Sequence, residues 1–270
     1  MTESESADLA ELALEIAREA GAFLLAGSDR VEAVGSKSSV HDLVTQMDRK
    51  SESLIRARIA AVRPDDQVVG EEEGAVGAPA RVRWIVDPLD GTVNYFYGQR
   101  SWAVSIGIEI DGIPSAGVVV APGLGEEYLG VAGVGSWAVR RDGRTRLHVS
   151  EVTELFDAVV STGFGYVQER RARQAVVVAE LLPQVRDIRR VGAAAIDLCW
   201  VARGALDAHY ERGLQDWDRS AGAVIAQEAG ARVTGPGGGP HSPELTVAAN
   251  PVLHDRLAAV LHQLGADGGP

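Results

Sequence analysis

From Trp84 to Thr92 the chain reads Trp-Ile-Val-Asp-Pro-Leu-Asp-Gly-Thr: two carboxylates three positions apart end an apolar run, and a glycine and a hydroxyl follow. Adjacent carboxylates repel and raise each other's pKa unless cations lie between them. Hard divalent ions such as Mg²⁺ take oxygen ligands of this kind, including a backbone carbonyl such as that of Leu89. Gly91 and Thr92 then offer backbone N–H groups of the sort that meet a phosphate at the start of a helix. The pattern predicts a Mg²⁺ and phosphate site. Trp84 to Val86 suit a covered strand end. Pro88 fixes φ and has no N–H, so the strand is expected to stop there and the chain to turn, bringing Asp87 and Asp90 together.

Three more acidic positions bear on the same chemistry. Glu71 follows Val68-Val69-Gly70, where a short strand breaks into the loop Glu71-Glu72-Glu73-Gly74. Asp218 follows Trp217 at an expected helix start, where an Asp by itself only answers the helix dipole. Asp42, in His41-Asp42-Leu43-Val44-Thr45, by itself reads as a turn or cap residue. Taken singly, none of the three demands a function.

The elements that must position these residues follow from hydrophobic periodicity. Leu9, Leu12, Ile16, Ala20 and Phe23 recur at helical spacing, predicting a helix over Ala7 to Ala26. A second helix, capped by Thr45 or Asp48, should run to about Val62. Strands are expected at 101–110, 115–120, 127–131 and 136–139, with turns at Asp111-Gly112 and Asp142-Gly143. Near Ser150 the character changes. Strands at 158–161, 185–189, 205–210, 232–233 and 245–249 alternate with helices at 168–182, 193–202, 217–228 and 251–264. The expected organisation is an N-terminal α+β half, residues 1–150, carrying most metal ligands, and a C-terminal α/β half, residues 151–270, completing the site. The Gly/Pro-rich stretch 234–240 lacks the Lys-Ser/Thr of a phosphate loop and reads as a surface loop.

Composition narrows the function classes. The chain has 270 residues, 46% of them apolar, and a formal charge of −12 from 26 basic and 38 acidic side chains. That charge argues against general nucleic-acid binding, which needs a basic footprint. No apolar run approaches the roughly 18–20 residues of a membrane span. The acidic start Met1-Thr2-Glu3-Ser4-Glu5 is unlike a secretory signal, and the single cysteine, Cys199, admits no internal disulfide. A cytoplasmic location, without membrane association, is expected. Cys199 lies on an apolar helix side and reads as a core thiol, and no two of the six histidines have zinc-ligand spacing.

Asp42-Leu43-Val44-Thr45, Gly70-Glu71-Glu72, the run from Trp84 through Tyr95, Gly192, Glu211 and Trp217-Asp218-x-x-Ala221-Gly222 occur in a single order along the chain. That order resembles the inositol monophosphatase family of Mg²⁺-dependent, lithium-sensitive phosphatases, over about Ala7 to Leu264. The resemblance implies a layered α/β/α/β/α sandwich of the inositol monophosphatase and fructose-1,6-bisphosphatase type. It implies that Glu71, Asp87 and the Leu89 carbonyl hold a first Mg²⁺, and that Asp87, Asp90 and Asp218 hold a second. A third ion would lie near Glu71, with its water shell reaching Asp42. Gly91 and Thr92 would cradle the phosphate, and Arg190, Gly192, Ala193, Ala194 and Glu211 would face the alcohol of a small phosphorylated polyol.

Phosphate monoesters hydrolyse very slowly in water, and two metals can clamp both ends of an in-line displacement. In the implied scheme Thr92 positions a metal-bound water, Asp42 or Glu71 accepts its proton, and no residue is phosphorylated. The expected substrate is myo-inositol 1-phosphate; histidinol phosphate is the nearest rival, ahead of 3′-phosphoadenosine and fructose bisphosphate. Ala193 departs from the Ser or Thr of many relatives and removes one hydroxyl from the substrate side. A homodimer is expected from the resemblance, and a regulatory, protein-binding role is the alternative from another class. Arg170-Arg171-x-Arg173 reads as a solvated helix start that could flank the site mouth.

Overall fold

The computed structural model describes residues 3–28, 33–36 and 43–268. Asp42 and His41 lie outside the described residues. Five layers stack on one another, as the resemblance implied. The outermost pair is α1 (Glu3–Gly27) and α2 (Gln46–Val62), which cover one face of an eight-stranded sheet. Its strands are β3 (Gln67–Gly70), β4 (Gly74–Val76), β5 (Val82–Asp90), β6 (Ala103–Ile110), β7 (Ile113–Ala121), β8 (Glu126–Val131), β9 (Gly135–Arg140) and β10 (Gly143–Arg146), in spatial order β10-β9-β8-β7-β6-β5-β3-β4. All pairs are antiparallel except β3 with β5. A separate two-stranded ribbon joins β1 (Ala33–Ser36) to β2 (Leu43–Thr45).

The middle layer is α5 (Ala194–Ala202) and α6 (Asp216–Glu228). Beyond it lies a five-stranded sheet of β11 (Val159–Thr162), β12 (Asp187–Arg189), β13 (Ala208–Glu211), β14 (Arg232–Thr234) and β15 (Thr246–Ala249), ordered β12-β11-β13-β15-β14. The last layer is α4 (Gln168–Leu181) and α7 (Pro251–Gln263), whose Val177, Leu181, Leu253 and Leu257 pack on Val160, Ala208, Val247 and Ala249. Among the described residues, no helix is long and apolar enough to cross a membrane.

Strand alternation explains the layering. On β6, Val104, Ile106, Ile108 and Ile110 meet α1 and α2, whereas Ala103, Ser105 and Gly107 face α5 and α6. The inward face is built from small residues, and three glycines form a row across it: Gly107 pairs with Gly117, and Gly117 with Gly130. A Cβ on Gly107 would stand 2.8 Å from Ser220 Cβ, and one on Gly130 would stand 2.9 Å from Ile225 Cα. A Cβ on Gly117 would collide with the Ala221 backbone. Helix α6 therefore lies directly on the sheet, at a separation that only residues without side chains permit.

The expected first helix begins four residues early and the second at Gln46. Strand β4 was not anticipated; the helix start expected at Gly91 and Thr92 is that of the five-residue α3 (Thr92–Phe96). One expectation fails: Pro88 does not end the strand. β5 continues through it to Asp90, with an irregularity in the ladder to β6 between Asp87 and Asp90. Proline is tolerated there because a bulge leaves ladder groups unpaired.

Candidate active site

Asp87 pairs with Ser105 on β6, but Asp90 pairs with Ala103, so β5 spends three steps where β6 spends two. In a regular strand, residues three apart point to opposite faces. The extra residue restores phase, and both aspartates reach the same side. There they meet Asp218, and one carboxylate oxygen from each of the three lies within 4.8 Å of the other two.

Asp218 arrives from α6 through two constraints. Ser105 Oγ, opposite Asp87, donates to the Trp217 carbonyl at 3.3 Å, and the glycine row seats the helix. Asp218 also caps that helix, since its Oδ2 accepts from Gln215 N–H at 2.6 Å. Asp218 thus both caps its helix and turns a carboxylate towards Asp87 and Asp90. Asp90 accepts from Ala195 N–H at 2.8 Å, at the N-terminus of α5. Ala193 is the N-cap residue of that helix and supplies no side-chain cap, so the backbone donors of its first turn go to Asp90. Asp87 Oδ1 accepts from Leu89 N–H at 3.0 Å.

Gly91 is the N-cap of α3 and adopts φ 87°, a left-handed conformation that a Cβ strains. A Cβ there would also stand 2.9 Å from the Ser101 carbonyl. The Asn94 side chain then ties α3 to neighbouring segments, donating to Ser101 O at 2.6 Å and Val191 O at 3.0 Å. The helix start, the 190–194 segment and the aspartates consequently surround one cavity of about 370 Å³.

Glu71, Asp87, Leu89, Asp90, Gly91, Thr92, Arg190, Gly192, Ala193, Ala194, Glu211 and Asp218 all line that cavity. Every site residue expected from sequence is there except Asp42, which is outside the described residues. Glu71 stands slightly apart from the trio, held by its N–H to the Val86 carbonyl at 3.2 Å. Its turn is fastened by buried Glu52, which accepts from Glu72 N–H at 2.8 Å and Glu73 N–H at 3.0 Å. Phe164, Tyr166 and Arg170 are also in the wall. Of these only Arg170 had been considered for the site mouth.

Asp48, expected only as a possible cap of the second helix, also belongs to the site. It is fully buried in the first turn of α2, and the Thr92 hydroxyl lies 3.3 Å from its Oδ2 and 3.0 Å from the Leu89 carbonyl. A signal was present: Asp48, Ser51 and Glu52 share a helical phase with Ile55 and Ile59, placing polar side chains on the buried stripe. Ser51 uses that position to hold the Pro88 carbonyl at 3.0 Å.

The electrostatics of the cluster are those of carboxylates crowded together out of water. Burial first, then the charges of Glu71, Asp90 and Asp218, push Asp87 well above the usual carboxylate range. Burial first and then Asp90 and Glu71 do the same to Asp218. Asp90 is pushed up to about 7, again chiefly by burial, with the Ala195 and Ala194 N–H groups pulling the other way. Such a group of hard oxygen donors fits a divalent metal. Among the described residues it is the one group of His, Cys, Asp or Glu with this geometry.

Comparison with known proteins gives a consistent result. The profile of the inositol monophosphatase family matches residues 5–266. The chain is 43% identical over 279 aligned positions to an inositol-1-monophosphatase, SuhB, of Mycobacterium tuberculosis, covering 97% of this chain and 96% of that protein. It is 36% identical over 231 positions to a protein of Pasteurella multocida named Nus factor SuhB, covering 84% and 85%. The solved structure of Mycobacterium tuberculosis SuhB superposes with a TM-score of 0.84 at 42% identity, over 97% of this chain and 98% of that one.

Proposed function

This chain belongs to the inositol monophosphatase family, and we propose that it hydrolyses myo-inositol 1-phosphate with Mg²⁺ bound at the aspartate cluster. That the protein is a phosphatase acting on phosphate monoesters follows from its family and from relatives 43% identical to it. The choice of substrate rests on the name carried by those relatives and on a polar cavity with Glu211 and Arg190 beside the cluster.

The observation that carries the reading is the placement of three mutually close carboxylates, two of them buried, beside the N-terminus of α3 in one cavity. Glu71, Asp87 and the Leu89 carbonyl would hold a first ion, and Asp87, Asp90 and Asp218 a second. A third would lie near Glu71 and Asp42. Bound metal supplies charge neutralisation of the phosphate, a more acidic water and stabilisation of the leaving oxygen.

The residues of the chain have their own tasks. Gly91 and Thr92, at the start of α3, receive the phosphate oxygens on backbone N–H groups. The Thr92 hydroxyl orients the attacking water, and Asp48, in contact with that hydroxyl, takes the proton that the water gives up. This assignment gives Asp48 the task that sequence reasoning had offered to Asp42 or Glu71. Gly192, Ala193, Ala194, Arg190 and Glu211 surround the alcohol portion. No side chain is phosphorylated, and Cys199, fully buried, takes no part. Lithium inhibition, a homodimeric state and a cytoplasmic location belong to the same proposal.

The test is phosphate release from inositol, histidinol, fructose and nucleotide phosphates, with Mg²⁺ and after chelation. Inositol 1-phosphate should lead, and a tenfold or greater preference for histidinol phosphate in kcat/KM would overturn the substrate assignment. A second reading, a role as a protein partner, is favoured by the name Nus factor carried by the Pasteurella relative. Asp90→Asn separates the two, since a cellular phenotype that survives loss of hydrolysis would belong to the partner role.

A further inference from the structure

Below the cavity, on the five-stranded sheet, a row of buried polar side chains is left unused by the hydrolytic scheme. Ser161 on β11 and His209 on β13 are paired in the parallel ladder, and the Ser161 hydroxyl lies 2.9 Å from His209 Nδ1. The same hydroxyl hydrogen-bonds Asp197, which reaches down from α5. At the other end, His209 Nε2 lies 3.9 Å from Glu211 Oε2. His209 and Glu211 are two positions apart on β13 and share a sheet face. Ser161, His209 and Asp197 are all at most 1% exposed. Yet Asp197 Oδ1 and His209 Nε2 have no hydrogen-bond partner among the described residues. A buried polar atom left unsatisfied costs about 1–3 kcal/mol, so the row calls for a purpose.

Proton counting gives the row a direction. Burial pushes His209 down to about 3, so its ring is neutral, with one N–H and one lone pair. Burial raises Asp197 well above the usual carboxylate range, against the pull of its hydrogen bond with Ser161; Asp197 does not line the cavity, and with its proton in place it is the donor to Ser161. Ser161 in turn donates to Nδ1, which leaves the ring proton on Nε2. Burial raises Glu211 as well. Of the two carboxyls only Glu211 lines the cavity, with Arg190, and the charge is assigned to that end on this placement.

We propose that Asp197, Ser161 and His209 are positioning residues for Glu211: the row presents an Nε2–H to the Glu211 carboxylate and holds it as acceptor for a hydroxyl of the substrate's alcohol. The gap closes by about 1 Å to reach hydrogen-bond length. The carboxylate also lies against Gly163, where any Cβ would collide with it, so the absence of a side chain there leaves it room beside the row. The inference rests on the reading of Glu211 as facing the alcohol.

The experiment compares kcat/KM for myo-inositol 1-phosphate with that for p-nitrophenyl phosphate, an ester with no hydroxyl for Glu211. His209→Phe should lower the polyol-to-aryl ratio about tenfold, the worth of one hydrogen bond to a charged group. His209→Gln, whose amide N–H reaches the place of Nε2, should recover most of it, and Ser161→Ala should lower it in the same direction. Glu211→Gln should lower the ratio at least as far, and adding His209→Phe to it should lower it no further. An unchanged ratio in His209→Phe, or effects of the two substitutions that simply multiply, would overturn the inference. Should His209→Phe fail to fold, an unchanged ratio in Ser161→Ala overturns it equally. An unchanged ratio in Glu211→Gln would instead remove the reading of Glu211 on which the proposal stands.

Discussion

The Thr92 hydroxyl stands 3.3 Å from the Asp48 carboxylate and 3.0 Å from the Leu89 carbonyl, yet it has one proton to give. Whichever acceptor takes that proton, the other is left facing the oxygen's lone pairs. Under the proposed mechanism, a threonine placed in this way would relay between a water in the cavity and a buried carboxylate. Thr92→Ala and Asp48→Asn should therefore each lower kcat by about 10²–10⁴-fold with a much smaller change in KM. Steady-state kinetics checks this, and a change confined to KM would show that the pair only binds substrate.

Asp90→Asn should abolish hydrolysis and, without metal, change how stability depends on pH. The folded pKa of Asp90 is about 7 against an ordinary 3.8. A group raised in this way contributes stability in full below about 3.8 and loses it as pH rises through 7. The metal-free variant, freed of that buried charge, should gain in Tm relative to wild type between pH 5 and pH 8. Adding Mg²⁺ should reverse the ranking at pH 8, because metal that binds only the folded state stabilises it. Calorimetry at the two pH values, with and without metal, reads both effects.

The buried histidines work in the opposite sense. His209 is held down to about 3 and His241 to about 4 by burial, and Arg219 Nε bonds His241 Nδ1 at 2.9 Å. Between those values and 6.5 the unfolded chain binds more protons than the folded one. Stability is then complete above about 6.5 and falls on acidification, by up to about 1.4 kcal/mol per pH unit for each histidine. His209→Gln should flatten the decline of unfolding free energy between pH 6 and pH 4. An unchanged slope would show that His209 is protonated in the folded state.

Gly117→Ala tests the contact that places Asp218. The added Cβ meets the Ala221 backbone and can be accommodated only if α6 lifts from the sheet, at about 1–3 kcal/mol. Because Asp218 rides on the first turn of that helix, Mg²⁺ affinity should weaken along with Tm. Isothermal titration of the folded variant measures this, and wild-type affinity would mean that α6 yields elsewhere along its length.

How much of this protein was legible before folding depends on how local the cause was. The Asp-Pro-Leu-Asp-Gly-Thr run was readable as metal and phosphate chemistry because residue type alone decides what a carboxylate or an N-terminal N–H can bind, whereas Glu71 and Asp218 joined it only through the resemblance in motif order. Helix and strand positions were readable from apolar periodicity, since burial on one face is a local pattern. The bulge at Pro88 was not, because proline's missing donor forbids a regular ladder but does not say whether the chain turns or slips by one residue. The register of β5 against β6 settled that. Asp48 looked like a cap, and only the meeting of α2 with Thr92, 44 positions away, gave it a partner. The Gly107–Gly117–Gly130 row has no meaning along the chain; it exists only across three paired strands. The sequence by itself therefore determined which groups could do the chemistry. The tertiary structure alone decided which of them share a cavity, because pairing register and helix-to-sheet distance arise between segments far apart in the chain.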